Sequence, residues 1–311
     1  LSGPWTRALA PAKVNLTLEV LAKRPDGFHE IHSWMLAIDL VDVVRVRTTS
    51  TGAVAIAVHG PAASADIPLD ERNLAVRAAS VALAAARASG AVGPEIGLEI
   101  ELTKSIPSQA GLGGGSSDAA AAWIATTAAC GGLHDAARAE IELARLGSDC
   151  VFFEKAYTGI GIATSRGEVV EVVTSVSPRW TIALVTPECV AATAAVYARA
   201  LPRDSHAPRL RVRLTGSAFD APPTLVNDLE RAALAAIPDL ARWRRLLDDL
   251  DLREWRLAGS GSSWFGLYAS DDVAQRDLRR VEERARAVGL GLRLARVARP
   301  AGHGAALVPE S

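Results

Sequence analysis

Between Thr6 and Val20, and again between Val41 and Val58, apolar and polar positions alternate and β-branched residues are frequent, the period-two signature of strands. Leu74, Arg77, Ala78 and Val81 then fall at helical spacing, which predicts a helix over Asn73–Ser89 with Asn73 as its cap and Gly90 as its stop. Alternation returns over Ile96–Lys104 and leads into Pro107-Ser-Gln-Ala-Gly-Leu-Gly-Gly-Gly-Ser-Ser-Asp118, after which the alanine-rich stretch Ser116–Ala129 reads as a closely packing helix. Strand, glycine loop and helix thus follow in that order. A further helix is predicted over Asp135–Leu146, ending at Gly147, with strands over Val151–Phe153 and Tyr157–Ala163. The pattern relaxes near Ser165-Arg-Gly167, which divides the chain into regions 1–165 and 166–311. In the second region Trp180–Thr186 predicts a strand, Ala191–Ala200 and Leu225–Ala235 predict helices, and Arg256–Ala269 returns to strand around a glycine-serine turn. The proline-rich patches Pro202–Pro208 and Pro222-Pro223 read as surface loops.

Composition narrows the class. A chain of 311 residues favours two domains, and an apolar fraction of 49% with 22% charged residues is that of a soluble globular protein. A formal net charge of −1 provides no general attraction to nucleic acid. The longest apolar runs, Leu74–Ala86 and Ala119–Cys130, fall short of the ~20 residues of a bilayer span, and no signal-peptide h-region opens the sequence. A cytoplasmic protein without nucleic-acid or membrane partners is expected. Cys130, Cys150 and Cys189 are odd in number and widely spaced, which predicts buried free thiols and neither disulfides nor a zinc site.

The glycine loop carries the strongest chemical signal. Gly113, Gly114 and Gly115 remove every Cβ from a turn and free its N–H groups to surround an anion. The helix behind it adds the positive end of its dipole, worth ~0.3–1 kcal/mol to a phosphate placed there. Ser116, Ser117 and Asp118 are all suitable N-cap residues, and the two hydroxyls can instead reach phosphate oxygens or a magnesium ion. The plain alternative, a glycine-rich turn with a serine cap, is disfavoured by the helix that follows directly. No lysine follows the glycines as a Walker loop requires, and Ser116 stands where a dinucleotide fingerprint needs glycine.

Two charged residues stand in apolar surroundings. Lys13 lies at an apolar strand start, where a lysine ordinarily reaches for solvent; Asp149 follows a helix-ending Gly147 and precedes an apolar run, where a half-buried carboxylate needs a partner. Lys13 is the expected partner. Asp26-Gly-Phe-His-Glu30 is a turn readable as a hairpin tip, and His29-Glu-Ile-His32 is one residue short of the zinc-binding helix, so no metal-ligating residues are predicted. Ala258-Gly-Ser-Gly-Ser-Ser263 is either a simple turn or a second loop lining a nucleotide site, and the nucleophile elbow of serine hydrolases is missing.

Taken together, Pro11-Ala-Lys-Val-Asn-Leu16, Arg24-Pro-Asp-Gly-Phe-His29, Pro107 to Asp118, Gly147-Ser-Asp149, Arg166-Gly-Glu168, Asn227-Asp-Leu-Glu230 and Gly259-Ser-Gly-Ser-Ser263 resemble the GHMP kinase superfamily of small-molecule kinases, in particular its branch acting in non-mevalonate isoprenoid biosynthesis. The resemblance runs through most of the chain in the family's order. It implies a two-domain α+β fold, a ribosomal-protein-S5-like N-terminal domain and a ferredoxin-like C-terminal domain, with ATP and a small-molecule substrate, cytidine diphosphate methylerythritol, meeting between them. It further implies that Pro107, Ser108, Gln109, Ala110, Gly111, Leu112, Gly113, Gly114, Gly115, Ser116 and Ser117 wrap the ATP phosphates, with Mg²⁺ screening their charge. Asp149 would take the proton of the substrate's 2-hydroxyl and Lys13 would hold hydroxyl and carboxylate in place. Phe28 and, by position after Thr193, Tyr197 would stack the cytosine, His29 would read its edge, and Asn15 would lie near the erythritol end. A monomer or homodimer is expected. The chain departs from the family in Phe28 for the usual tyrosine, Cys150-Val151 for Val-Pro, and Ser108-Gln109 at the loop's start. A GHMP kinase for galactose, homoserine or mevalonate would keep the loop without needing the Asp-Gly-Phe-His turn. An inactive nucleotide-binding module would have no use for a lysine beside an acid, and an S5-like RNA binder conflicts with the near-neutral charge.

Overall fold

The computed structural model describes residues 2–174, 178–201 and 223–310; the patch Pro202–Pro208 and Pro222 lie outside them. Among the described residues the chain forms two sheets, of eight and four strands. The larger is built on two long antiparallel strands, β1 (Thr6–Lys23) and β2 (His29–Thr49), joined by the turn at 24–28. Its order is β12 (Ala306–Val308), β1, β2, β4 (Gly97–Thr103) and β3 (Val54–His59), with β5 (Ile160–Ser165) on β2, β6 (Val169–Val172) on β5, and β8 (Val226–Asn227) on β1. β2 begins well before Val41. Residues 33–38 are buried whichever face they point to, so no alternation marks them in the sequence.

One face of this sheet carries α1 (Leu74–Ala88) and α2 (Gly114–Ala129). Asn73 caps α1 as expected, accepting from the Ala75 N–H at 2.9 Å. In α2 the side chains of Ala119, Ala120, Ala121 and Ala122 are all fully buried, because alanine lets a helix approach neighbours on several sides. α3 (Ala136–Leu146) is capped by Asp135, and α4 (Ser148–Lys155) starts directly after Gly147. The expected strand over Val151–Phe153 is therefore helical. Cys150, Val151, Phe152 and Phe153 are all buried, packed toward α2, α3 and β6, and a short unbroken apolar run has the same pattern in a buried helix as in a strand.

The smaller sheet has the order β11 (Leu292–Ala298), β7 (Thr181–Pro187), β10 (Trp264–Tyr268) and β9 (Arg256–Leu257), all antiparallel. Its core gathers Trp243, Trp255 and Trp264 with side chains of α5 (Thr193–Tyr197), α6 (Glu230–Ala236), α7 (Pro238–Asp249) and α8 (Asp271–Ala287). Helices α7 and α8 go beyond the sequence expectation, and the expected helix from Leu225 starts only at Glu230, after β8. The expected division at 165–166 falls in the β5–β6 turn, inside the larger sheet; β8 and β12 also return to that sheet, and the smaller one takes up at Thr181. No helix among the described residues is long and apolar enough to cross a membrane. Cys130 and Cys150 are buried free thiols, whereas Cys189 is only partly buried.

Candidate active site

The glycine loop leaves β4 through residues 105 and 106, whose N–H groups both donate to Asp42 Oδ1 at 2.5 and 2.8 Å. It ends at Gly113, which adopts the left-handed conformation at φ +71° and is the N-cap of α2. Ser116, Ser117 and Asp118, expected at the cap, lie inside the helix, and no side chain caps its first turn. The unpaired N–H groups and positive dipole end are left for an anion. The loop's glycines answer to different needs. A Cβ on Gly111 would stand 2.0 Å from the Ala258 carbonyl oxygen, and one on Gly113 would stand 2.9 Å from the Phe153 ring, so protein packing excludes both. On Gly115 it would meet nothing nearer than Leu74 Cδ1 at 3.9 Å. That open side faces a cavity of about 1110 Å³.

The cavity, larger than the ~300–1,000 Å³ of an ordinary small-ligand pocket, is lined by β1 and β2 of the larger sheet, by the glycine loop, by α5 and by the turn between β9 and β10. Lys13 enters it from β1, its N–H donating to the Leu112 carbonyl at 2.9 Å, so the strand is fixed to the loop. Its Nζ donates to Asn15 Oδ1 at 2.8 Å and lies 3.5 Å from Asp149 Oδ2. Asn15 Nδ2 in turn donates to Ser33 Oγ at 2.8 Å, and Ser33 Oγ donates to the Thr17 carbonyl at 2.7 Å. Asp149 stands in the first turn of α4, a favourable place for a carboxylate. The lysine side chain is 5% exposed and the aspartate 32%, so the amine is fixed from behind and the acid is open to the cavity.

Phe28, 51% exposed, lines the same cavity from the end of the β1–β2 turn, where its N–H donates to Asp26 Oδ1 at 3.1 Å. Tyr197 is not stacked on Phe28; its ring lies on His29, centroids 5.7 Å apart and planes 28° from parallel. Burial, with the nearby charge of Lys23, holds the His29 imidazole below its ordinary range, and burial together with Asp149 pushes the Tyr197 phenol up. The Thr193 hydroxyl lies 3.0 Å from that of Ser260, in the second glycine-serine turn. All the expected site residues line this one cavity except Ser117, which is fully buried, while Ser116 is among the lining residues.

The sequence pattern of the GHMP kinases N terminal domain matches residues 73–160, which include the loop and Asp149. The chain is 38% identical over 275 residues to the 4-diphosphocytidyl-2-C-methyl-D-erythritol kinase of Pelotomaculum thermopropionicum, covering 86% of this chain and 91% of that protein. The kinase of the same name from Geobacter metallireducens is 33% identical, covering 86% and 90%. The chain belongs to the 4-diphosphocytidyl-2-C-methyl-D-erythritol kinase family of GHMP kinases. A crystal structure of 4-(cytidine 5'-diphospho)-2C-methyl-D-erythritol kinase superposes with a TM-score of 0.71 at 32% identity, covering 94% of this chain and 99% of that one. Homoserine kinase from Cytophaga hutchinsonii shares the fold at a TM-score of 0.69 and 19% identity, covering 98% of this chain and 97% of its own.

This member of the 4-diphosphocytidyl-2-C-methyl-D-erythritol kinase family holds its site partly with residues that the motif reading did not single out, Lys104 and Asp42 first among them. Lys104, almost fully buried, donates to Asp42 and, at 2.7 Å, to Asp118 Oδ2 directly beneath the loop. Burial, with the like charge of Asp42, raises the Asp118 carboxyl against the opposing pull of Lys104. Burial would lower the Lys104 ammonium, but the two carboxylates outweigh it and leave it raised. A lysine closing the alternation of β4 just before Pro107 was the available sign. Asn227 Nδ2 donates to the Leu257 and Gly259 carbonyls at 2.8 and 2.7 Å, fixing Gly259 where a Cβ would stand 3.1 Å from Lys13 Nζ. Ser108, part of the uncommon loop start, is anchored twice. Its hydroxyl donates to Asp66 Oδ2 at 2.9 Å, and its carbonyl accepts from Arg293 Nη1 at 2.7 Å.

Proposed function

We propose that this chain transfers the γ-phosphoryl group of ATP to the 2-hydroxyl of 4-diphosphocytidyl-2-C-methyl-D-erythritol, in non-mevalonate isoprenoid biosynthesis. The observation that carries the reading is the approach of Lys13 Nζ to Asp149 Oδ2, 3.5 Å apart, in the same cavity as the open glycine loop. The 38% identical relative, matched over 91% of its length, bears that kinase's name.

In this reading the triphosphate lies against residues 113–116 and the acceptor alcohol enters from the Phe28 end. Asp149 accepts the hydroxyl proton as the oxygen attacks, the new O–P bond forms, and the bond from the γ-phosphorus to the departing ADP oxygen breaks. Lys13, tethered by Asn15, orients the hydroxyl and offsets its developing charge. General-base help of this kind contributes ~10²–10⁴-fold, and positioning and charge stabilisation supply the remainder. When bound, Mg²⁺ would screen the phosphate oxygens and polarise the transferred group. Among the described residues no three His, Cys, Asp or Glu side chains converge to hold a metal ion. With Ser116 and Asp149 lining the same cavity, the site fits an ion held chiefly by phosphate and water. Thr193, Tyr197, Phe28 and His29 would receive the cytidine.

Incubation of the purified protein with ATP and each acceptor tests the assignment. Phosphorylation of the cytidine diphosphate alcohol, with homoserine, galactose and mevalonate left unmodified, is expected. Equal turnover of any of those three contradicts it.

A further inference from the structure

The start of the glycine loop holds a residue in an unfavourable backbone conformation. Gln109 lies at φ +50°, on the left-handed side, as do Gly111 at φ +75° and Gly113 at φ +71°. Left-handed residues in a turn let successive N–H groups gather on one side, the arrangement that receives an anion. Glycine adopts such backbone without penalty. Glutamine does not, and it lacks the short side chain with which asparagine or aspartate bonds locally. A residue so strained persists where its surroundings over-determine it, and such residues cluster at functional sites. Gln109 also belongs to the Ser108-Gln109 pair in which the chain departs from its family.

The backbone is fixed on both sides of Gln109. Arg293 Nη1, reaching across from β11, donates to the Ser108 carbonyl at 2.7 Å, and its Nε donates to the Pro187 carbonyl at 2.9 Å, so the peptide plane before Gln109 is tied to the smaller sheet. On the far side the Ala110 carbonyl accepts from the Ser263 N–H at 3.0 Å. The remaining hold comes from the segment between β3 and α1. Asp66 Oδ2 accepts from Ser108 Oγ at 2.9 Å and from Gln109 Nε2 at 3.4 Å, so one carboxylate grips the side chains of both residues. Ser64 donates to Asp66 Oδ1, and these hydroxyls, Ser64 first and Ser108 second, hold the carboxyl below its ordinary range. An ionised carboxylate makes the stronger, charge-assisted kind of bond. Asp66 is exposed and lines the cavity beside Ser108 and Gln109.

On the reading of this loop as the triphosphate site, we propose that Asp66 is a positioning residue: by gripping Ser108 and Gln109 it keeps Gln109 left-handed, and with it the start of the loop in the shape that receives the phosphates. Asp66 thereby supplies from outside the loop the backbone freedom that Gly111 and Gly113 have without help.

Affinities for ATP with Mg²⁺ and for adenosine, each by competition against a fluorescent ATP analogue, in wild type, Asp66→Ala, Gln109→Gly and the double variant, test this. Asp66→Ala is expected to weaken ATP binding by on the order of 10-fold, the scale of a left-handed residue released from its support, with adenosine affinity and the KM for the acceptor held. In the Gln109→Gly background, where the backbone needs no support, the same change is expected to weaken ATP binding by about threefold or less. A loss as large in that background as in the wild type overturns the proposal. So does equal loss of ATP and adenosine binding, which would mean that Asp66 touches the nucleoside itself, and so does ATP affinity unchanged in Asp66→Ala. Should Asp66→Ala not fold, Asp66→Asn, which keeps the shape and loses the charge, is measured in the same two backgrounds; a smaller loss that vanishes with Gln109→Gly supports the proposal, and one indifferent to residue 109 overturns it. Wild-type protein that binds no ATP refutes the proposed function, whereas ATP binding indifferent to Asp66 refutes only the role of Asp66.

Discussion

Lys13 illustrates how a residue unusual for its setting acquires a meaning only from its contacts. An ammonium group in an apolar strand is costly unless paired, and here Asn15 on one side and Asp149 on the other supply the pairing. His29 is the second residue whose chemistry follows from its surroundings. Its imidazole is held below its ordinary range by burial first and by Lys23 second, so it is neutral at pH 7 and takes a proton only as the pH falls through that lowered range. A neutral imidazole offers one donor and one acceptor to a pyrimidine edge, and the protonated ring offers two donors. The KM for the acceptor is therefore expected to stay level from about pH 8 down through the ordinary histidine range near ~6.5 and to rise below it, with the KM for ATP following no such course. Steady-state kinetics across pH, with His29→Phe as the reference, measures this; a rise that persists in His29→Phe assigns the titration to another group.

At the scale of elements, the start of α2, the proposed phosphate site, is also tied to stability. Asp42, Lys104 and Asp118 bring two carboxylates and one ammonium into a buried space under the loop. Burial raises the Asp118 carboxyl to about 8, with Asp42 adding to the effect. A group whose folded pKa lies above its unfolded value stabilises at pH below the unfolded value, and that contribution is lost as pH rises through the folded one. Wild-type thermal stability is thus expected to fall relative to Asp118→Asn between about pH 4 and about pH 8. Parallel melting curves across that range would contradict the assignment. How much of this was legible in the sequence differed by element. The strand–loop–helix order around Gly113–Gly115, the Asn73 cap and the partnership of Lys13 with Asp149 were all readable, because each rests on a local residue preference or on a charge in apolar company. The helix at Val151–Phe153 was not, since burial on every side erases the period that separates helix from strand. In α8, Ala274, Leu278, Val281 and Ala285 do recur at helical spacing, but under a heavily charged exterior that weakens the signal. The Lys104 cluster needed the fold, because Asp42 and Asp118 meet only when β2 and α2 pack together.

For the whole molecule, the decisive contact is between the glycine loop and the turn at 258–263. Ser263 N–H donates to the Ala110 carbonyl at 3.0 Å, and the missing Cβ of Gly111 lets the Ala258 carbonyl approach. Asn227, on β8, which runs parallel to β1, holds that turn in place beside Lys13. Through these contacts residues distant in the chain share one cavity, in which the proposed function would have the glycine loop hold the phosphates, Phe28, His29 and Tyr197 receive the cytidine, and the acid–amine pair act on the hydroxyl. The central claim is that Asp149 acts on the acceptor hydroxyl in that cavity and not on ATP binding. The most direct measurement is therefore single-turnover phosphoryl transfer by Asp149→Asn, read together with the Kd for ATP. A fall of at least ~10²-fold in the transfer rate with ATP affinity largely retained is the predicted result. An unchanged transfer rate would contradict the account.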